Sequence, residues 1–320
     1  MKTLVTGAGG MVGSHMVETL YDTGDEVLGT YYKPTTDIQE INAKIKLVEC
    51  DVRYPSNIEK IIFSFKPDRI FHLAAQSYPT VSWEKPYETI ETNINGTIAI
   101  YEAIKKVREL FDSSYDPIVV VACSSAEYGQ TLNEIEDSFV KESAELKPLH
   151  PYGVSKVGQD LISFQYFMND HIRCIRVRIF NSTGTRKVHD VTSDFTYRAV
   201  LAERNQSYCL KVGNLQTKRA IMDQRDLIHG LVLLSEKGTA GDVYNLSSEN
   251  IYVMSDIVKL IEEKIGHSFK VEVDPVLLRP TDERIIVGDI TKLKRDTGWK
   301  QEISMRQTVS DMIDYWRAKL

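Results

Sequence analysis

A short apolar strand that runs straight into spaced glycines and then into a helix leaves a chain few folds to adopt. Residues 3–6 (TLVT) read as such a strand, residues 7–13 (GAGGMVG) as the glycine turn, and residues 11–23 as a helix with Val12, Met16 and Leu20 on one face. Gly7 permits the tight turn, Gly10 lets backbone N–H groups approach a pyrophosphate, and Gly13 lets the helix lie close to the sheet. The helix N-terminus adds its dipole and its unpaired N–H groups, and Met11 and Val12 in that first turn belong to the same expected cofactor contact. Glycines mark many turns. The strand before them and the helix after them give these ones a dinucleotide-binding reading.

The same alternation continues. Strand-like runs lie at 26–30 (EVLGT), 45–50 (IKLVEC), 69–74 (RIFHLA), 117–123 (PIVVVAC) and 172–180 (IRCIRVRIF), with helical runs near 56–65, 89–109 and 151–168. Buried strands alternating with helices predict an α/β fold, a doubly wound and mostly parallel Rossmann sheet. Past Phe180 the pattern loosens into the polar stretch NSTGTRKVHDVTSD. A strand at 241–248 and amphipathic helices at 254–265 and 303–318 follow, the last carrying Val309, Met312, Ile313 and Trp316. This predicts a dinucleotide-binding domain over 1–180, with 222–246 returning to it. A smaller α/β substrate domain over 181–221 and 247–320 would sit at the carboxyl edge of the sheet.

Composition narrows the class. A 320-residue chain with 42% hydrophobic residues suits one large or two medium domains with a substantial core. A formal net charge of −6 argues against a nucleic-acid or anionic-membrane surface. No apolar run approaches the ~20 residues of a membrane span. The opening residues show no secretory leader pattern, so a cytoplasmic location is expected. Cys50, Cys123, Cys174 and Cys209 are scattered and read as reduced thiols; the histidines show no metal-ligand spacing, so no metal is expected.

An acid at the end of the second strand would grip an adenosine 2′-hydroxyl and favour NAD(H). Here Tyr31, Tyr32 and Lys33 stand at that place. A cation without a carboxylate points to NADP(H), with NAD(H) as the alternative. Asp51 and Val52, after the third strand, are placed to meet the adenine.

Chemistry enters with two later stretches, SSAEYG (124–129) and YGVSK (152–156). A phenol titrates near 10 and is a poor acid or base at neutral pH, but a nearby ammonium favours its phenolate. Residues four apart on a helix share a face, so Tyr152 and Lys156 can address one cleft. A strand-end serine can then bind the same substrate oxygen. The spacing alone is common: Tyr101 and Lys105 repeat it in YEAIK, with no strand-end serine before them, and are expected on a solvated helix face.

Together TGAGGMVG, FHLAAQS, SSAEYG and PYGVSK resemble the extended short-chain dehydrogenase/reductase superfamily, which acts on nucleotide sugars. RIFNSTG, KVGNLQTKRAIMDQRDLIHG, GDVYNLSS, LLRPTDERIIVGD and TGWKQEI resemble the branch holding GDP-4-keto-6-deoxy-D-mannose reductases and GDP-mannose 4,6-dehydratases. The resemblance covers nearly the whole chain. It implies that Ser124, Tyr152 and Lys156 are catalytic, with Lys156 also holding the nicotinamide ribose. It implies cofactor contacts at Leu73, Ala74 and Ala75. Sugar-nucleotide contacts would come from Ser77, Ser125, Ala126, Glu127 and Asn181, with Arg219 and Arg279 on the diphosphate. It also implies a homodimer formed through the helices near 89–109 and 151–168.

Two departures bear on activity. Dehydratases of this superfamily carry a glutamate two residues after the catalytic Ser/Thr, and it removes the C5 proton; Ala126 stands there. Glu127 is adjacent, but neighbouring side chains on a strand end point to opposite faces. Ala220 stands where the branch reads Arg-Asp. The expected activity is therefore NAD(P)H-dependent reduction of the C4 ketone of a GDP-4-keto-6-deoxy-hexose. A 4,6-dehydratase acting on GDP-mannose or a GDP-heptose, a 4-epimerase or dehydrogenase, and a non-catalytic dinucleotide sensor are the alternatives.

Overall fold

The computed structural model describes residues 1–134, 139–277 and 287–320. Its frame is the alternation read above. In chain order it runs β1 (Lys2–Thr6), α1 (Met11–Asp22), β2 (Glu26–Tyr31), β3 (Lys46–Glu49), α2 (Pro55–Phe65), β4 (Arg69–His72), α3 (Pro79–Glu84), α4 (Pro86–Ile90) and α5 (Gly96–Leu110). It continues with β5 (Ile118–Ser124), α6 (Thr131–Glu134), α7 (Pro151–Asp170), β6 (Cys174–Ile179) and β7 (Ser182–Thr183). A π-helical turn, Glu91–Asn95, joins α4 to α5, so the helical run near 89–109 is not one regular helix.

The remaining elements are α8 (Val191–Arg204), β8 (Cys209–Val212), β9 (Lys218–Ala220), β10 (Met222–Asp223), α9 (Gln224–Lys237), β11 (Val243–Leu246) and β12 (Ile251–Val253). Then come α10 (Met254–Ile265), β13 (Lys270–Val273), α11 (Thr291–Thr297) and α12 (Met305–Lys319). Helix α8 begins inside the stretch that reads as polar and turn-rich. Asp190 caps it through the Ser193 amide, and Phe195, Ala199 and Val200 form its buried face.

Seven strands form one parallel sheet in the order β11-β6-β5-β4-β1-β2-β3. Strand order reverses between β1 and β4, and the crevice outside the carboxyl ends at such a switch point is where open α/β sheets bind ligands. Both sheet faces are covered, as parallel sheets require. Val5, Phe71, Val120 and Val177 face α1 and α9 on one side; Leu4, Ile70, Val119 and Val121 face α2, α5 and α7 on the other.

A third core, built by α8, α10, α12 and β8, holds the smaller lobe together. The return of β11 to the sheet brings Ile290, Leu293 and Trp299 with it, so residues around α11 pack into the sheet's core. That departs from a substrate domain running through all of 247–320. The reason is local: Gly230 lacks the side chain that would block the Trp299 indole, 3.1 Å from where its Cβ would stand.

Candidate active site

The glycine turn is built for close approach. Gly7 has φ of 79°, and a Cβ there would lie 2.7 Å from the Ala74 nitrogen. A Cβ on Gly13 would lie 2.1 Å from the Gly7 carbonyl oxygen, so only glycine lets α1 start this near β1. At Gly10 a Cβ would meet only the Gly7 oxygen, at 3.5 Å. Gly10 is also the N-cap of α1, and no side chain caps that end. The first-turn N–H groups are thus left without a side-chain partner, with Met11 buried and Val12 half-buried beside them. This fits a dinucleotide pyrophosphate.

The ribose-side residues follow. Lys33 is exposed, with φ of 46°, and its ammonium lies 5.2 Å from the centre of the Tyr32 ring; Tyr31 is half-buried at the strand end. Arg53, which was not anticipated, lies 5.6 Å from the same Tyr32 ring. It forks onto Asp51 through Nε and Nη2, at 3.0 and 2.6 Å, and so occupies the carboxylate expected to meet adenine. Val52 is buried beside it, where it would meet a Cβ on Gly96 at 2.7 Å. Leu73, Ala74 and Ala75 are half-buried beyond β4, and Ser77 is exposed.

Ser124 is the last residue of β5. Tyr152 lies in the first turn of α7 and Lys156 one turn later. His150 caps α7: its Nδ1 accepts the Gly153 N–H at 3.0 Å, and its ring stacks 5.9 Å from that of Tyr152. The Lys156 Nζ lies 5.8 Å from the Tyr152 ring centre. It donates to the Ala122 carbonyl and to the Gln159 Oε1, both at 2.7 Å. Burial lowers the Lys156 ammonium to about 8. Burial also pushes the Tyr152 phenol up to about 12, with hydrogen bonding to Ser124 opposing the rise. The simple expectation that the ammonium lowers the phenol is overridden here by desolvation. A phenol protonated at neutral pH is the form a proton donor needs.

Glu127 requires a correction. It carries no sugar-facing carboxylate. The strand ends at Ser124, and residues Ser125–Glu127 form a 3-10 turn, so strand alternation does not govern them. Glu127 folds back: its Oε1 accepts the Ser124 N–H at 2.7 Å, and Arg178 Nε lies 3.2 Å from its Oε2. Its side chain is fully buried, and desolvation, reinforced by Asp160, pushes its carboxyl well above the usual range. Ser125 and Ala126 are left half-buried at the turn. Cys123, Glu127 and Asp160 do bring three ligand-type atoms within 4.8 Å of one another, although no metal was expected. Arg176 and Arg178 already pair with Asp160, and burial keeps Cys123 a thiol.

Tyr101 departs from the expected solvated helix face. It is fully buried, stacked on Tyr166 at 4.7 Å, and only Lys105 reaches the surface, pairing with Glu102 and Asp170. Asn181 is exposed just beyond β6, whose Ile179 pairs in register with Ser124. Arg219 lies on the β9–β12 ribbon opposite Tyr252, and Ala220 is wholly buried there. Arg279 lies outside the described residues.

Asn93 was missed. The π turn carries it inward, where it binds the Gln76 backbone and donates to the Ser155 hydroxyl at 2.8 Å. NINGT was its only sequence signal, since a π turn has no periodic signature.

A family model described as GDP-mannose 4,6 dehydratase matches residues 4–312. GDP-6-deoxy-D-mannose reductase of Pseudomonas aeruginosa is 25% identical over 256 residues, 79% of this chain and 82% of that protein. GDP-mannose 4,6-dehydratase of Vibrio cholerae is 25% identical over 350 residues, 97% of this chain and 92% of that protein. Among solved structures, UDP-glucose 4-epimerase of Thermotoga maritima with UDP-glucose superposes with a TM-score of 0.88 at 23% identity, over 100% of this chain and 99% of that one. RMD from Pseudomonas aeruginosa complexed with NADPH gives 0.82 at 22% identity, over 99% of each chain. Among the described residues no helix is long and apolar enough to cross a membrane.

Proposed function

The chain belongs to the GDP-mannose 4,6-dehydratase family, and within it we propose a reductase of GDP-4-keto-6-deoxy-hexoses. One observation carries this reading. Ser124, Tyr152 and Lys156 come together at the carboxyl end of β5, while position 126 is alanine and Glu127 is turned into the protein. Carbonyl reduction needs the first three; removal of a C5 proton needs a base that neither position 126 nor Glu127 offers to the cleft.

A reduced nicotinamide dinucleotide, when bound across the glycine turn, supplies the hydride to C4. The chain's own residues do the rest. Ser124 donates a hydrogen bond to the C4 oxygen. Tyr152 gives that oxygen its proton and becomes phenolate, which later regains a proton. Lys156, still largely charged at neutral pH, stabilises the negative charge that moves from sugar to phenol. Lys33 and Arg53 beside Tyr32, with no carboxylate after β2, favour NADPH over NADH. Asn181 and Arg219 are proposed on the sugar nucleotide, and Arg279 with them.

The homodimer is proposed through α7. Val154, Leu161, Phe164 and Met168 are exposed apolar residues along it, with Trp83 and Tyr87 exposed on α3 and α4. Light scattering of the wild type and of Leu161→Arg tests this: dimer and monomer masses are expected, in that order.

The function test is direct. With GDP-4-keto-6-deoxy-mannose, NADPH should be consumed in proportion to product; with GDP-mannose and catalytic NADP⁺, no dehydrated 4-keto product should form. An epimerase would turn over without net NADPH loss. A dehydrated product that disappears in Glu127→Gln would overturn the reductase reading.

A further inference from the structure

Behind Lys156 lies a run of buried polar side chains that the three catalytic positions do not account for. Gln159 is wholly buried, one turn along α7, and its Oε1 takes one Lys156 proton. That fixes the amide's orientation, so its Nε2 must point the other way; it donates to the Thr97 Oγ1 at 2.9 Å. Thr97 spends its own proton on the Asn93 carbonyl, at 2.7 Å. Its oxygen therefore accepts from His72 Nε2, 3.0 Å away. His72 must carry its proton on Nε2, and its Nδ1 then accepts from the Thr6 hydroxyl at 2.8 Å. Thr6 in turn receives the Ala74 N–H at 3.2 Å.

Each group in this chain has a single consistent role, and every side chain in it is nearly or wholly buried. Burial also holds His72 neutral, at about 3, which the tautomer requires. An ammonium has three donors. Two are taken, by Ala122 and Gln159, so one remains for the cleft.

We propose that Gln159 is a positioning residue for Lys156: a neutral acceptor, locked in orientation through Thr97, His72 and Thr6, that aims the third ammonium N–H at the cleft without cancelling its charge. The proposal rests on the reductase reading for its catalytic meaning, but its geometry does not depend on the substrate. The groups facing Lys156 are Tyr152 on its own helix, Cys123 and Glu127 from β5 and the turn after it, and His72 from β4. None is a carboxylate in contact with the ammonium. A glutamate at 159 would be.

The experiment uses the full chain and two opposed variants. The Lys156 titration is followed by NMR of lysine labelled with ¹³C at Cε, assigned with Lys156→Met, and kcat and KM are measured against pH with NADPH and GDP-4-keto-6-deoxy-mannose. Gln159→Glu should move the Lys156 titration up by about one unit, and Gln159→Leu should move it down by about one. The alkaline limb of kcat should follow each, with KM nearly constant and kcat at neutral pH lowered about tenfold in both. Thr97→Val should shift it in the direction of Gln159→Leu but less, and Thr97→Ser should restore the wild-type value.

A merely structural role would lower the melting temperature without opposed shifts. Unmoved titrations in both Gln159 variants, or shifts of the same sign, overturn the proposal. Should Gln159→Leu fail to fold, Gln159→Met takes its place. Tyr152→Phe separates the two readings: full turnover there removes the catalytic assignment, while the Lys156 titrations still decide Gln159.

Discussion

Tyr101 and Lys105 lie one helical turn apart on α5, as Tyr152 and Lys156 do on α7. On α5 the tyrosine is inside and the lysine outside: Tyr101 stacks on Tyr166, and Lys105 meets Glu102 and Asp170 at the surface. On α7 the order is reversed. The lysine is buried, 3% exposed, and the tyrosine stands at the cleft beside Ser124. Helical spacing makes both pairs neighbours; what each pair faces depends on the helix's rotation against the sheet. Helix α7 turns its first two turns toward the carboxyl end of β5, where a carbonyl and Gln159 can take an ammonium's protons. Lys105 is received instead by the carboxylates of Glu102 and Asp170 at the helix surface, so its charge stays near water.

This contrast can be broken by measurement. The largest effect should come from Tyr152→Phe, which should fold and bind cofactor while losing about 10²–10⁴ in turnover. Retention of turnover would place the chemistry elsewhere. Next is Tyr101→Ala, which should cost about 3–5 kcal/mol of stability in urea unfolding, the usual cost of deleting a buried aromatic ring. A loss under 1 kcal/mol would mean that the α5–α7 packing is not as tight as the stacked rings imply.

A smaller effect separates the surroundings of the two lysines by pH. His72 is held neutral, at about 3, whereas an unfolded histidine titrates near 6.5. Between those values the unfolded chain binds the extra proton, so stability falls as pH drops, by about 1 kcal/mol per pH unit from this residue. Urea unfolding at pH 6 and pH 5 should show a shallower fall in His72→Gln than in the wild type. Equal slopes would show that the imidazole escapes its buried position. The smallest effect belongs to Lys105→Ala, which should change stability by no more than about 0.5 kcal/mol and leave turnover unaltered, because exposed ion pairs contribute little.

The sheet, its helices and the glycine turn were legible in the sequence because their signals are local. Short apolar runs, period-3.6 burial and a strand–glycine–helix junction need no distant partner to be read. The order of a strand-end serine, then a tyrosine and lysine four apart, was equally legible as a motif, as was the alanine at position 126, and the catalytic role proposed for the three awaits the variants above. That Glu127 would turn away from position 126 was also expected, but its fold-back onto the Ser124 amide was not legible. It depends on where β5 stops and on Arg178 and Asp160, residues far away along the chain. Tyr101 fell on the wrong side for the same reason, since burial is decided by Tyr166 on another helix. Asn93 rests on a π turn, and the roles of His72, Thr97 and Gln159 on hydrogen bonds between three separate elements. Composition and spacing determined which chemical groups this protein owns and roughly where along the chain they stand. Only the packed structure decided which of them lose water, and with it which protons they keep, because desolvation and hydrogen-bond direction are properties of neighbours that sequence order does not record.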